Sequence, residues 1–212
     1  MTTAMTYSSL VEDIKVYADR NDSPFIDQIP RLIALAEFRI ATEVHALGYR
    51  KFVTFDLLAG QSVFAKPTNW RETVNLNIGT GTDSNSRKFL LYRGYEYIRT
   101  YWPDSNNQGI PRYYSDYDAQ HILVAPTPAL TYPAELAYHE KPLPLSSSNE
   151  QNWTTNYAPM LILYATLLEA QPFLMKPDML SIWQGLYDRA VAAVMGEEKR
   201  RAVDASTQRK DV

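Results

Sequence analysis

Histidine is the side chain best suited to proton transfer and metal ligation near neutral pH, and the chain carries His45, His121 and His139. They fall on separate predicted elements. None stands in a His-Glu-x-x-His pattern, which would set two imidazoles on one helix face for zinc. Each is expected to be an ordinary structural or surface residue. Asp116 and Asp118 flank Tyr117 and have the residue types of a glycosidase carboxylate pair or a calcium ligand set. The expectation for them is a turn, because a short aspartate side chain bonds nearby backbone amides. Gly79-Thr80-Gly81 opens like a dinucleotide fingerprint but lacks the third glycine and the following helix. No Gly-Lys-Ser/Thr phosphate loop and no Gly-x-Ser-x-Gly nucleophile elbow occurs. Cysteine is absent, which removes disulfide frameworks, thiolate zinc sites and cysteine nucleophiles together. No catalytic, cofactor-binding or metal-ligating set is expected, and the chain reads as a non-enzyme.

The chemistry that remains is recognition and support. Glu37 falls near the apolar stripe of a long predicted helix, where a carboxylate needs a partner. A buried ion pair with an arginine is expected, either Arg39 or one from the middle of the chain. Tyr92, Tyr95, Tyr97, Tyr101 and Trp102, followed by Tyr113, Tyr114 and Tyr117, crowd one stretch. Aromatics with a polar tip suit an interface or a platform for stacked sugar rings, and they are also plain strand and core residues. The net charge of -3 gives no basic footprint for neutralising phosphates. Residues 1–10 lack the charged and apolar regions of a signal peptide. The most apolar run, residues 160–168, is about half the length needed to cross a bilayer. A soluble protein made in the cytoplasm is expected.

The elements that position these residues divide the chain into three parts. Ser8 or Ser9 is expected to cap a first helix with Leu10, Ile14 and Tyr17 on one face, ended by Asn21-Asp22-Ser23-Pro24. A second helix is expected over residues 25–47, with a short turn before Pro30 and Gly48 as its stop. Its main stripe is Ile26, Ile29, Ile33, Ala36, Ile40, Val44 and Leu47, while Leu35 and Phe38 lie on the opposite side. Two stripes fit a helix packed between layers or one that also faces a neighbouring subunit. The middle alternates like short strands over residues 52–57, 62–65, 72–78, 88–92, 111–115, 120–125 and 134–139, with a hairpin tip at 79–86 and a short helix at 95–101. Residues 157–169 are apolar nearly all round and predict the most buried helix, with Pro172 and Pro177 bracketing the break after it. A last helix carries Met179, Ile182, Trp183, Leu186, Tyr187, Ala190, Val191 and Val194 at helical spacing. After Gly196 follows a polar tail, expected to be disordered in the free protein. The predicted fold class is α+β. Residues 1–48 and 150–197 would form an antiparallel helical bundle, 49–149 an inserted small antiparallel β-sandwich or barrel module, and 198–212 a flexible tail.

In this order the chain resembles the head-to-tail adaptor (neck, or connector) proteins of tailed bacteriophages. The resemblance runs over nearly the whole chain. It rests on Leu35-Ala36-Glu37-Phe38-Arg39-Ile40, Lys66-Pro67-Thr68-Asn69-Trp70-Arg71, Gly109-Ile110-Pro111-Arg112-Tyr113-Tyr114 and Ile122-Leu123-Val124-Ala125-Pro126-Thr127-Pro128. It continues with residues 136–146 and the helix ending Leu168-Glu169-Ala170. The resemblance implies a structural virion protein in a closed, dodecameric ring beneath the portal, extending the DNA channel and offering a platform for the tail nozzle or other tail proteins. Genomic DNA would pass without sequence-specific binding, and no membrane or cofactor is implied. By position, the docking tail would be Glu197, Glu198, Lys199, Arg200, Arg201, Asp204, Gln208, Arg209 and Lys210. Leu35, Phe38, Tyr95, Tyr101 and Trp102 would serve subunit contacts. The alternative is a carbohydrate-binding or host-recognition module that uses the tyrosine-rich region. A hydrolase built on scattered histidines and aspartates has no supporting motif.

Overall fold

The computed structural model describes residues 4–44, 47–80 and 86–207. The chain is of mixed α+β class and divides into two compact units, residues 1–49 with 142–212, and residues 50–141.

The first unit is helical. Helix α1 (Tyr7–Ala18) is capped by Thr6 rather than by Ser8 or Ser9. The Thr6 hydroxyl accepts from the Ser9 amide at 3.1 Å and Ser9 Oγ accepts from the Thr6 amide at 2.9 Å, so two orphan donors are satisfied reciprocally. Ser8 has another partner: its amide and hydroxyl donate to Glu150 at 3.0 and 2.8 Å. Ala18, not Tyr17, continues the buried stripe of Leu10 and Ile14, and Tyr17 is exposed. A one-turn helix α2 (Ser23–Ile26) precedes α3 (Ile29–Glu43), and Pro30 lies in the first turn of α3, where its missing amide costs nothing. Helix α3 ends at Glu43, earlier than expected, and Gly48 instead sits in a 3₁₀ turn at Leu47–Tyr49. The reason for a glycine there is close approach: a Cβ would lie 2.1 Å from the Trp153 indole nitrogen.

Helix α5 (Trp153–Tyr157) leads into α6 (Pro159–Leu174) and α7 (Pro177–Thr207). Helix α6 runs through Pro172 to Leu174 instead of breaking there. Proline so near the C-terminal end removes one backbone bond of the last turns, and Met175 closes the helix in the left-handed region at φ 51°. As its all-round apolar sequence predicts, α6 is the buried centre, with Leu161, Ile162, Leu163, Ala165, Leu167 and Ala170 inside. Helices α1, α3 and α7 pack on it. Trp183 and Tyr187 are the parts of the α7 stripe that bury completely, while Ile182 remains exposed. Helix α7 continues through Gly196 to Thr207, since a single glycine costs a helix only about 1 kcal/mol relative to alanine.

The second unit contains β1 (Arg50–Leu57), β2 (Val63–Ala65), β3 (Trp70–Gly79), β4 (Arg87–Tyr92), α4 (Tyr95–Tyr101), β5 (Gln108–Gly109), β6 (Tyr113–Asp116), β7 (His121–Ala125), β8 (Thr127–Pro128) and β9 (Tyr132–Glu140). The main sheet runs β1-β9-β3-β4-β6-β7-β2. It curls until its two edge strands meet across the core, where the Phe55 ring of β1 lies 6.3 Å from the Phe64 ring of β2, making the sheet barrel-like and nearly closed. Leu57, Leu76, Ile78, Leu90, Ile122 and Leu136 fill it. Two pairings depart from the antiparallel expectation: β5 and β8 form a separate parallel pair, and within the main sheet β4 and β6 are parallel. A parallel neighbour needs a crossover, and α4 with the chain after it supplies one. The hairpin tip expected at 79–86 falls partly outside the described residues, at 81–85, while Thr80 and Ser86 close it with a 3.0 Å bond.

Candidate assembly surfaces

The polar residues inside the first unit act as fasteners. Glu37 is buried and accepts from the Leu145 amide at 3.1 and 3.2 Å and from Asn152 Nδ2 at 2.7 Å. Burial pushes its carboxyl up to about 7, partly offset by the Leu145 amide and the Asn152 side chain. The expected pair with Arg39 does not form. Residues two apart on a helix face away from each other, and Arg39 reaches Glu169 on α6 at 2.6 Å. Tyr187 on α7 donates to Glu43 on α3, and burial with that bond raises the phenol above its ordinary value. Asn152 also caps α5 through Thr154 and Thr155.

What the first unit leaves outside is apolar in one informative place. Leu35 and Phe38 on α3 are 44% and 63% exposed, one turn apart on a helix whose other face is fully packed. Among the described residues no layer of the first unit covers this second stripe. On α7, Glu197, Lys199 and Arg200 are exposed. The side chains of Glu198, Arg201 and Asp204 lie outside the described set, as do residues Gln208, Arg209 and Lys210 altogether.

In the second unit Asp118 lies in the expected turn, bonded to the Gln120 amide, whereas Asp116 ends β6, and the two share a cationic centre that sequence reading missed. The Lys66 ammonium, its side chain 2% exposed, lies 2.7 Å from Asp116. It also donates to the Asp118 carbonyl at 2.9 Å and sits 3.5 Å from the centre of the Trp70 ring. A buried ammonium needs such a complete set of partners. Asp118 accepts from the Gln120 amide and pairs with His121 Nδ1 at 2.8 Å, which together hold its carboxyl below the usual range. His139 is buried on β9, and His45 lies outside the described residues. Among the described residues no group of three or more histidine, cysteine or acidic residues could hold a metal.

The tyrosines gather around α4. Of this helix only Ile98 is buried, against Leu123 and Ala125. Tyr97 contacts Tyr101 at 4.7 Å and Tyr113 at 6.0 Å, and Trp102 contacts Tyr113 at 5.3 Å. Trp102 is half-buried, whereas Tyr92, Tyr95 and Tyr101 are exposed. Arg93 lies over Tyr97 and Tyr113, and Arg99 over Tyr95 and Tyr117. Arg99 was legible in principle, since Tyr95 and Arg99 have the spacing of neighbours on a helix face, whereas Arg93 precedes α4.

The family model described as SU10 adaptor protein matches residues 5–210. The chain belongs to that family. The SU10 adaptor match covers both units, and it identifies a phage head-to-tail adaptor with a structural role. No curated protein matches the chain. In this adaptor no helix among the described residues is long and apolar enough to cross a membrane.

Proposed function

We propose that this adaptor assembles as a closed ring, dodecameric in the resemblance, beneath the portal of a tailed phage. It extends the DNA channel and gives the tail proteins a platform. The observation that carries the reading is the family match over both units, supported by the unpartnered Leu35 and Phe38 on α3. In this reading residues 1–48 and 150–197 work as an antiparallel helical bundle, 49–149 as an inserted β module, and 198–212 as the docking tail. Leu35 and Phe38 meet the next subunit. A ring contact is heterologous and must close, so each copy offers this face once and receives a different one. Tyr95, Tyr101 and Trp102, which the resemblance assigns to the same subunit contacts, form a second surface whose partner is tested separately. DNA passes without sequence-specific binding, and the net charge of -3 suits a passage that should not grip phosphates. The site of action is the virion neck, after synthesis in the host cytoplasm, with no catalysis, cofactor or membrane.

The carbohydrate alternative is weaker on one observation. A sugar platform needs bare ring faces, and guanidinium groups lie over Tyr95, Tyr97, Tyr113 and Tyr117.

A double Leu35→Asp, Phe38→Asp variant tests the ring contact. The exposed positions make the fold indifferent to the change, so circular dichroism and Tm stay near wild type. Native mass spectrometry should show rings for the wild type under assembly conditions and monomers for the variant. Rings formed equally by both would remove this face from the assembly.

A further inference from the structure

Charge at the tyrosine surface is out of balance. Residues 86–102 carry Arg87, Lys88, Arg93 and Arg99 against one carboxylate, Glu96, in a chain whose net charge is -3. The acids of the strands and turns around α4 are already engaged. Asp116 holds Lys66, Asp118 holds His121, and Asp104 accepts from the Asn106 amide at 2.8 Å. The arginines are not. Among the described residues neither Arg93 nor Arg99 pairs with a carboxylate; Arg93 donates to the Tyr92 carbonyl at 3.1 Å and Arg99 to the Tyr95 hydroxyl at 3.3 Å. A guanidinium has five N–H donors in a fixed fork. Each of these therefore rests against tyrosine rings with most of its donors unused. Arg112 is exposed beside them, its carbonyl bonded to the Leu91 amide.

We infer that this surface is the docking site for a carboxylate-bearing segment of a different protein, laid across α4 with two acids reaching Arg93 and Arg99. The inference rests on the proposal that the outer faces are assembly contacts. Three arguments fix the occupant. Planar, ring-supported guanidiniums recognise carboxylates with two parallel bonds, so the acids belong to the partner. The surroundings, with Leu91, Tyr92 and Tyr101 more than half exposed, have the tyrosine, tryptophan and arginine composition of a protein contact's buried centre. A duplex DNA site would need many phosphate-spaced cations and no apolar surface. Finally, part of the chain's own acidic surface is already committed, with Glu12, Asp22, Glu140 and Glu169 paired with Lys15, Arg20, Lys51 and Arg39 and Glu150 taken up by Ser8, which favours a different protein over a second copy as the source of the acids.

The test uses the full chain and a fluorescent short peptide of alternating aspartate and leucine, with an alternating lysine and leucine peptide and single-stranded oligothymidylate as comparisons. The acidic peptide should bind, weaken steeply as salt rises, and shift the Arg93 and Arg99 Nε–Hε resonances. Arg93→Gln with Arg99→Gln should weaken it by about tenfold or more, and Arg93→Lys with Arg99→Lys should rescue little, because an ammonium lacks the fork. Both variants change exposed side chains, and circular dichroism checks their fold. No binding of the acidic peptide, equal binding by the lysine variant, or tighter binding of oligothymidylate would overturn the inference. Ring formation measured in parallel keeps the two proposals apart. If the glutamine variant forms rings yet loses the peptide, the surface serves another protein. If it loses rings as well, the surface belongs to contacts between copies and the inference is wrong.

Discussion

Glu37 holds three hydrogen bonds at a position with almost no water, and its two protonation states compete on known terms. The bonds from Leu145 and Asn152 favour the carboxylate, burial favours the acid, and burial wins, with the group at about 7 against a usual 4.5. The folded chain therefore holds this proton more tightly than the unfolded chain. Stability from this group is fully present below about pH 4.5 and is lost as pH rises through about 7, with a total of about 3 kcal/mol. Glu37→Gln removes the charge and keeps one acceptor, at the cost of about 1 kcal/mol for a weakened bond. The variant should be more stable than wild type near pH 8, and the gap should close or reverse near pH 5. Urea denaturation at the two pH values reads this directly, and a variant that is less stable near pH 8 would show that the charge is needed. The burial of Glu37 was legible from its place in the helix stripe. Its partners were not, because a backbone amide and an asparagine more than a hundred positions away leave no trace in local spacing. The same holds for two partners of Lys66, the Asp116 carboxylate and the Asp118 carbonyl, which lie about fifty positions on, while its third, the Trp70 ring, is four residues away.

Elements read most clearly where one local signal decides them. Pro30 marks the start of α3 and the apolar residues of α6 mark the centre, and both stand in the structure. Signals with two meanings misled. Gly48 looked like a helix stop and is a contact point for Trp153; Pro172 looked like a break and is absorbed in the last turns of α6. Gly196 looked like the end of the last helix, and α7 runs on to Thr207. The residues that anchor α7, Trp183 and Tyr187, lie well before Gly196. A chain ended after Gly196 should lose only the helical signal of residues 197–207 and a few degrees of Tm, while docking to the portal disappears. Gradient sedimentation with portal particles checks this, and a truncated chain that still docks would end the tail assignment.

At the scale of the molecule, helices at both ends of the chain share one core and the strands between them share another. That split was visible as a change in hydrophobic period from helical to alternating. The parallel β4–β6 pair was not visible, because alternation gives the face of a strand but not its neighbour. Function was less legible than fold, since a structural adaptor is marked by no single short motif. The proposed contact faces, at Leu35, Phe38 and the arginine-backed tyrosines, lie outside the cores. The most direct test of the ring is electron cryo-microscopy of the purified protein mixed with portal particles of the same phage. The account predicts added density at one end of the portal, with the portal's own symmetry and one adaptor copy per portal subunit. Monomers that leave the portal bare would contradict it.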